Sequence, residues 1–175
     1  KLNLPGDAVR GVALHPDGQT IIAELGNGSG NALWRRDAGA SGFAMFQEGA
    51  SITGKPISPD GNFVLGSGAD GKLVQFPIKG GVATAKPIAD TSAADRFLRW
   101  DASGKFIYVY NPYRIPVKIE KIDAATGKRE TLREIAITDP SGVSHVEAVL
   151  TPDGNTIVLG VQREFNNLQI VKGLR

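Results

Sequence analysis

The chain of 175 residues contains no cysteine. That excludes disulfides, thiol nucleophiles and thiolate metal sites, and it fits a reducing or an oxidising compartment equally. Histidine occurs only twice, as His15 and His145, so no histidine pair has zinc spacing. No apolar run approaches the roughly 20 residues that span a bilayer, which argues against direct membrane insertion. Charge is balanced at a net +2, and Arg35-Arg36 and Lys128-Arg129 are the only basic doublets. The chain therefore carries no stripe for nucleic acid and no polybasic membrane patch. It also lacks a Gly-x-Ser-x-Gly elbow, a phosphate-cradling loop and an Asp-x-Asp-x-Asp calcium loop. These absences leave catalytic residues, metal and cofactors at none. The chain begins at Lys1 with neither Met nor a secretory leader, and it reads as a processed product with its targeting information removed.

Glycine is what the chain has in excess: 22 residues, gathered at turns rather than in low-complexity runs. Many short strands joined by tight turns need this. Pro-Asp-Gly occurs three times, as Pro16-Asp17-Gly18, Pro59-Asp60-Gly61 and Pro152-Asp153-Gly154. A degraded copy is Trp100-Asp101-Ala102-Ser103-Gly104, and the four glycines are spaced 43, 43 and 50 residues apart. Each turn joins two apolar stretches, and a strand repeat of this length is the mark of a propeller blade.

The spacing predicts an all-β propeller of four four-stranded units, about 8–50, 51–93, 94–140 and 141–175. A two-sheet sandwich would need no such period. The strand after each turn is almost wholly apolar, as in Ile21 to Leu25, Phe63 to Leu65 and Ile157 to Leu159. Covering on both faces produces that pattern. The fourth unit lacks its outer strand after Leu168 to Val171, and residues 1–7 are expected to supply it. Two arrangements stay open: a closed four-bladed ring, or part of a larger ring whose open edges allow self-association.

The Ser/Thr-Pro-Asp-Gly turns, each followed by a strand such as Asn62-Phe63-Val64-Leu65 or Asn155-Thr156-Ile157-Val158-Leu159, resemble the TolB-like family of bacterial propeller repeats. The pattern is also related to the propellers of prolyl oligopeptidases. The resemblance covers essentially the whole chain, with the third unit departing at Asp101-Ala102-Ser103-Gly104. It implies a bacterial module outside the cytoplasmic membrane, periplasmic or otherwise extracytoplasmic, that holds other proteins. Some relatives form the sensor-like end of membrane Ser/Thr kinases, and the ending Asn167 to Arg175 is similar to the end of such chains.

The recurring Asp17, Asp60, Asp101 and Asp153 are read as turn caps rather than metal ligands. His15 stands where Ser58 and Thr151 stand, which gives it a turn role. Trp34 and Trp100 are read as blade packing. Propeller geometry sets the loops after the second strands on the face opposite the Pro-Asp-Gly turns. The two longest run from Tyr110 to Pro116 and from Gln162 to Asn167. Their Tyr110, Tyr113, Arg114, Arg163, Glu164 and Phe165 are side chains typical of binding hot spots. Asp95, Arg96 and His145, in the loops leading into the last two units, are expected beside them. His145 has a second reading as an acid–base partner of Glu147. The sequence thus favours a non-enzymatic module that takes a protein or peptide on one face. The alternative is a propeller hydrolase or lyase, or a propeller gating a separate hydrolase. The inner strands offer that alternative little charge besides Arg99.

Overall fold

The computed structural model describes residues 4–6, 8–27, 30–79, 85–151 and 153–166. Every named element is a strand. The first sheet runs in the order β1 (Ala8–Leu14), β2 (Ile21–Asn27), β3 (Gly30–Arg36) and β4 (Ala44–Glu48). The second holds β5 (Phe63–Ser67), β6 (Leu73–Pro77) and β7 (Lys86–Pro87). The third holds β8 (Arg96–Trp100), β9 (Phe106–Tyr110), β10 (Val117–Asp123) and β11 (Arg129–Ile135). The fourth pairs β12 (Val143–Leu150) with β13 (Ile157–Arg163). All ladders are antiparallel. This is a four-bladed propeller array, and no helix among the described residues is long and apolar enough to cross a membrane.

One expected strand differs. Segment 55–58 makes isolated bridges, Ile57 to Val64 and Lys55 to Arg99, instead of a full inner strand. Pro56 and Pro59 interrupt its amide ladder, since proline has no N–H to donate. Of the closing strands expected at 168–171 and 1–7, only residues 4–6 are described, and they form no strand.

Three apolar seams join the blades. Ile22, Leu33, Val64 and Phe76 meet between the first and second sheets. Leu65, Phe97, Trp100, Ile107 and Val109 meet between the second and third. Leu98, Tyr110, Val117, Ile119, Val146 and Ala148 meet between the third and fourth. Adjacent residues serve opposite seams, as Val64 and Leu65 do, because strand side chains alternate. That is why the middle strands are apolar throughout. Trp100 is buried in its seam, sits edge-on to Phe97 at 6.2 Å and donates its indole N–H to Pro56 O. Trp34 is only partly buried. On the outer faces Val12, Leu14, Val149 and Val158 remain 60–65% exposed, and no seam between first and last sheets forms among the described residues.

The turns repeat one hydrogen-bond design. Gly18, Gly61, Gly104 and Gly154 all have φ near +70° and donate to the carbonyl three residues back. Asp17 accepts from the Gln19 and Thr20 amides, and Asp60 and Asp153 accept from the Asn62 and Asn155 amides. The third turn corrects the expectation that Asp101 matches these aspartates. Counting back from its glycine, Asp101 occupies the place of Ser58 and Thr151, and Ser103 occupies the place of the aspartate. The pair is inverted but intact: Ser103 donates to Asp101 at 2.6 Å, as Ser58 donates to Asp60 at 2.6 Å. His15 keeps the turn role and adds a tie, its Nε2 lying 2.9 Å from Gly61 O in the next blade.

An alanine at Gly18 meets open space, so its cost is backbone strain of about 1 kcal/mol. At Gly61 the new Cβ runs into the His15 ring. Gly61→Ala is therefore expected to lower the urea midpoint more than Gly18→Ala, and a His15→Ala background is expected to erase that difference. Acid supplies a second test. Thr20 and Gln19 amides hold the Asp17 carboxyl well below the ordinary aspartate value. The Ser58 hydroxyl and Thr151 hydroxyl lower Asp60 and Asp153 in the same direction, each joined by an amide. Depressed folded-state values give stability that is complete above the unfolded value of about 3.9 and drains away as pH falls through the folded values. Urea unfolding at pH 7 and pH 3 is expected to show that loss, and Asp153→Asn is expected to reduce it.

Candidate functional site

The inner strands of neighbouring blades run side by side: Lys55 bridges Arg99 in parallel, and β8 contacts β12. Between them lies a cleft of about 470 Å³, lined by segment 53–55, β8 and the β12 residues from His145 to Leu150. Its Arg96, Tyr110 and His145 lie at the end of the strands opposite the Pro-Asp-Gly turns. The pairing Arg96↔Tyr110 in the third blade and Val143↔Arg163 in the fourth set that end.

Two β-bulges aim the polar groups. In β8 the register slips between Phe97 and Arg99, with Leu98 as the extra residue. Residues three apart normally face opposite sides of a strand. Here Arg96 pairs with Tyr110 and Arg99 with Tyr108, two residues on one face of β9. The bulge thus brings both guanidinium groups to the face turned toward the fourth blade, a known use of such irregularities. In β12 the extra residue is Ser144. It leaves Val143, Val146 and Ala148 on the seam while His145 and Glu147 share the other side.

Glu147 gathers the neutral and acidic groups. His145 Nε2 donates to its carboxylate at 2.7 Å, and the Tyr110 hydroxyl donates to the other oxygen at 3.4 Å. The Ala148 amide in turn donates to the Tyr110 oxygen at 3.3 Å. Burial pushes the Tyr110 phenol above its ordinary value, and the Glu147 charge adds to the rise. Tyr113 lies edge-on to the His145 ring at 5.3 Å and is 65% exposed. Its loop is tied down where the Val146 amide donates to Pro112 O at 2.9 Å. Tyr113, Ser144, His145, Glu147 and Glu164 border a second recess of about 590 Å³ that shares His145 and Glu147 with the cleft.

The structure sorts the expected site residues into two groups. Arg96, Tyr110, Tyr113, His145 and Glu164 line the joined recesses. His145 is a strand residue bonded to Glu147, not the free loop residue of the sequence reading. Tyr110 ends β9 and is 3% exposed, since its ring fills the seam. Asp95 is 6% exposed, with its carboxylate taken by Arg129 at 2.8 Å. Arg163 ends β13 and donates to Ser141 O and Asp139 O, bracing the loop before β12. Arg114 is exposed beside the Asp95–Arg129 pair. Phe165 is 74% exposed. The cleft also corrects the expectation of an inner wall with little charge besides Arg99. Lys55, Arg96, His145 and Glu147 line it too. Glu147 was legible only as a neighbour of His145; Lys55 was a single letter without a motif, and the bulges leave no mark in the residue pattern.

Arg129 also donates to Glu120 at 2.7 Å and to Asp90 O at 2.7 Å, so one guanidinium fastens the loop before β8 to the third blade. Arg129→Ala strands a buried carboxylate and is expected to cost about 3 kcal/mol, read from thermal or urea unfolding. Pairing it with Asp95→Asn is expected to return part of that loss.

No family profile and no curated protein matches this sequence. Solved structures do. The putative TolB of Agrobacterium tumefaciens is similar with a TM-score of 0.66 at 16% identity, over 93% of this chain and 58% of that one. TolB of Acinetobacter baumannii gives 0.58 at 18% identity, over 91% and 41%. A chain of a nidogen/laminin complex gives 0.60 at 15% identity, over 93% and 68%. The tricorn protease and a prolyl endopeptidase match as well. The chain spans about half the length of the two TolB chains. At such identities the likeness establishes architecture alone, and the architecture is that of a β-propeller.

Proposed function

We propose that this chain is a non-enzymatic interaction module of a larger bacterial protein, working outside the cytoplasmic membrane and docking a protein or peptide at the cleft mouth. One observation carries the reading. The exposed Tyr113, lying edge-on to His145, borders an open recess that shares His145 and Glu147 with the apolar-walled cleft beside it. Aromatic anchors beside a pocket are what binding hot spots are made of. The stacked sheets hold those loops rigid, so little ordering is lost when a partner docks. The likeness to TolB and to a chain of a nidogen/laminin complex supports a protein partner.

The second reading is a propeller hydrolase or lyase, or a propeller gating a separate hydrolase. The His145–Glu147 contact favours it, as do the peptidases among similar structures. Against it, Ser144 Oγ beside His145 is buried and has no hydrogen-bond partner among the described residues, without the base contact that an activated nucleophile needs.

Tyr113 and Arg114 are both exposed, so Tyr113→Ala with Arg114→Ala is expected to leave the unfolding midpoint unchanged. The same double change is expected to weaken capture of the natural partner at least tenfold in a pull-down titrated against wild type. Undiminished capture places the docking face elsewhere.

A further inference from the structure

The cleft holds a second message in its charges. Three cationic side chains, Lys55, Arg96 and Arg99, line it against one carboxylate, Glu147. That carboxylate already accepts from His145 and Tyr110. The arginines are braced: Arg96 donates to Ala93 O at 3.1 Å, and Arg99 Nε donates to Trp100 O at 3.1 Å. Among the described residues none of these three cations has a carboxylate within salt-bridge distance. Cations left without a counter-charge beside an apolar wall suit an anionic group. Phe97, Leu98, Val149 and Leu150 form apolar wall around these cations.

We propose that the cleft is a carboxylate site that takes the free C-terminus of a peptide, with Arg99 and Arg96 as the anion contacts and Lys55 as a third charge. This rests on the reading of the cleft mouth as a peptide-docking face and narrows its ligand class. A planar guanidinium matches a carboxylate in two-point geometry. The apolar wall suits the last side chain of the peptide. Glu147 sits across the cleft, where it disfavours a doubly charged phosphate more than a singly charged carboxylate and offers an acceptor to a peptide N–H.

The test uses two pools of random hexapeptides ending in leucine, one with a free C-terminal carboxylate and one amidated, applied to the immobilised protein. Retention of the acid pool at least tenfold above the amide pool is expected. Arg99→Gln is expected to remove the difference, and Lys55→Ala to reduce it, with Trp100 fluorescence unchanged as the check on folding. Should Arg99→Gln disturb that fluorescence, Arg96→Gln provides the same reading. Equal retention of both pools keeps the docking face but overturns the carboxylate site. Retention of neither overturns both readings. Inorganic phosphate displacing the acid pool more effectively than acetate would overturn the choice of carboxylate.

Discussion

Apolar contact between neighbouring sheets is the constraint on which this molecule depends. Each blade completes its own hydrogen-bond ladder, and the polar ties from one blade to the next are scattered single bonds, among them the Lys55–Arg99 bridge, the His15–Gly61 bond, the indole of Trp100, the Val146–Pro112 bond and the Tyr110–Glu147 contact. What remains is three seams of Ile, Leu, Val and aromatic side chains. Burial of such area is worth on the order of 25 cal/mol per Å² and has no direction of its own. Direction comes from strand alternation, which sends Val64 one way and Leu65 the other, so the second and third sheets are each glued on both faces.

The cleft follows from that arrangement. Flat sheets stacked by their faces bring their innermost strands together, and the gap there cannot be filled by seam residues. Polar side chains are tolerated in it because it opens to water. The two bulges then decide which side chains enter. Leu98 and Ser144 are each one residue more than their partner strands need, and the surplus turns Arg96 and Arg99 to one side and separates His145 and Glu147 from the seam.

Legibility in the sequence followed the range of the forces. Local turn chemistry was plain: Pro-Asp-Gly marks the hairpins, and their period gave the blades. Ile107 and Val109 were plain for the same reason, since an apolar run betrays a strand covered twice. Ion pairing across 34 positions was not, and so Asp95 looked like a surface acid until Arg129 closed on it. Tyr110 misled differently, because a ring at the end of a strand is written with the same letter whether it fills a seam or a loop. Register slips were invisible, as nothing in the letters Phe97-Leu98-Arg99 says that one of them is surplus.

The inverted third turn shows what the hairpin selects. In three of the four turns a hydroxyl and a carboxylate stand two residues apart, in either order, as Ser58 with Asp60 and Asp101 with Ser103 demonstrate, and in the first His15 takes the hydroxyl's place beside Asp17. Passing from one order to the other takes two substitutions. A halfway form with two acids would set like charges in hydrogen-bond contact, whereas one with two alcohols still closes the link. Exchange of the two orders is therefore channelled through a form with serine or threonine at both places.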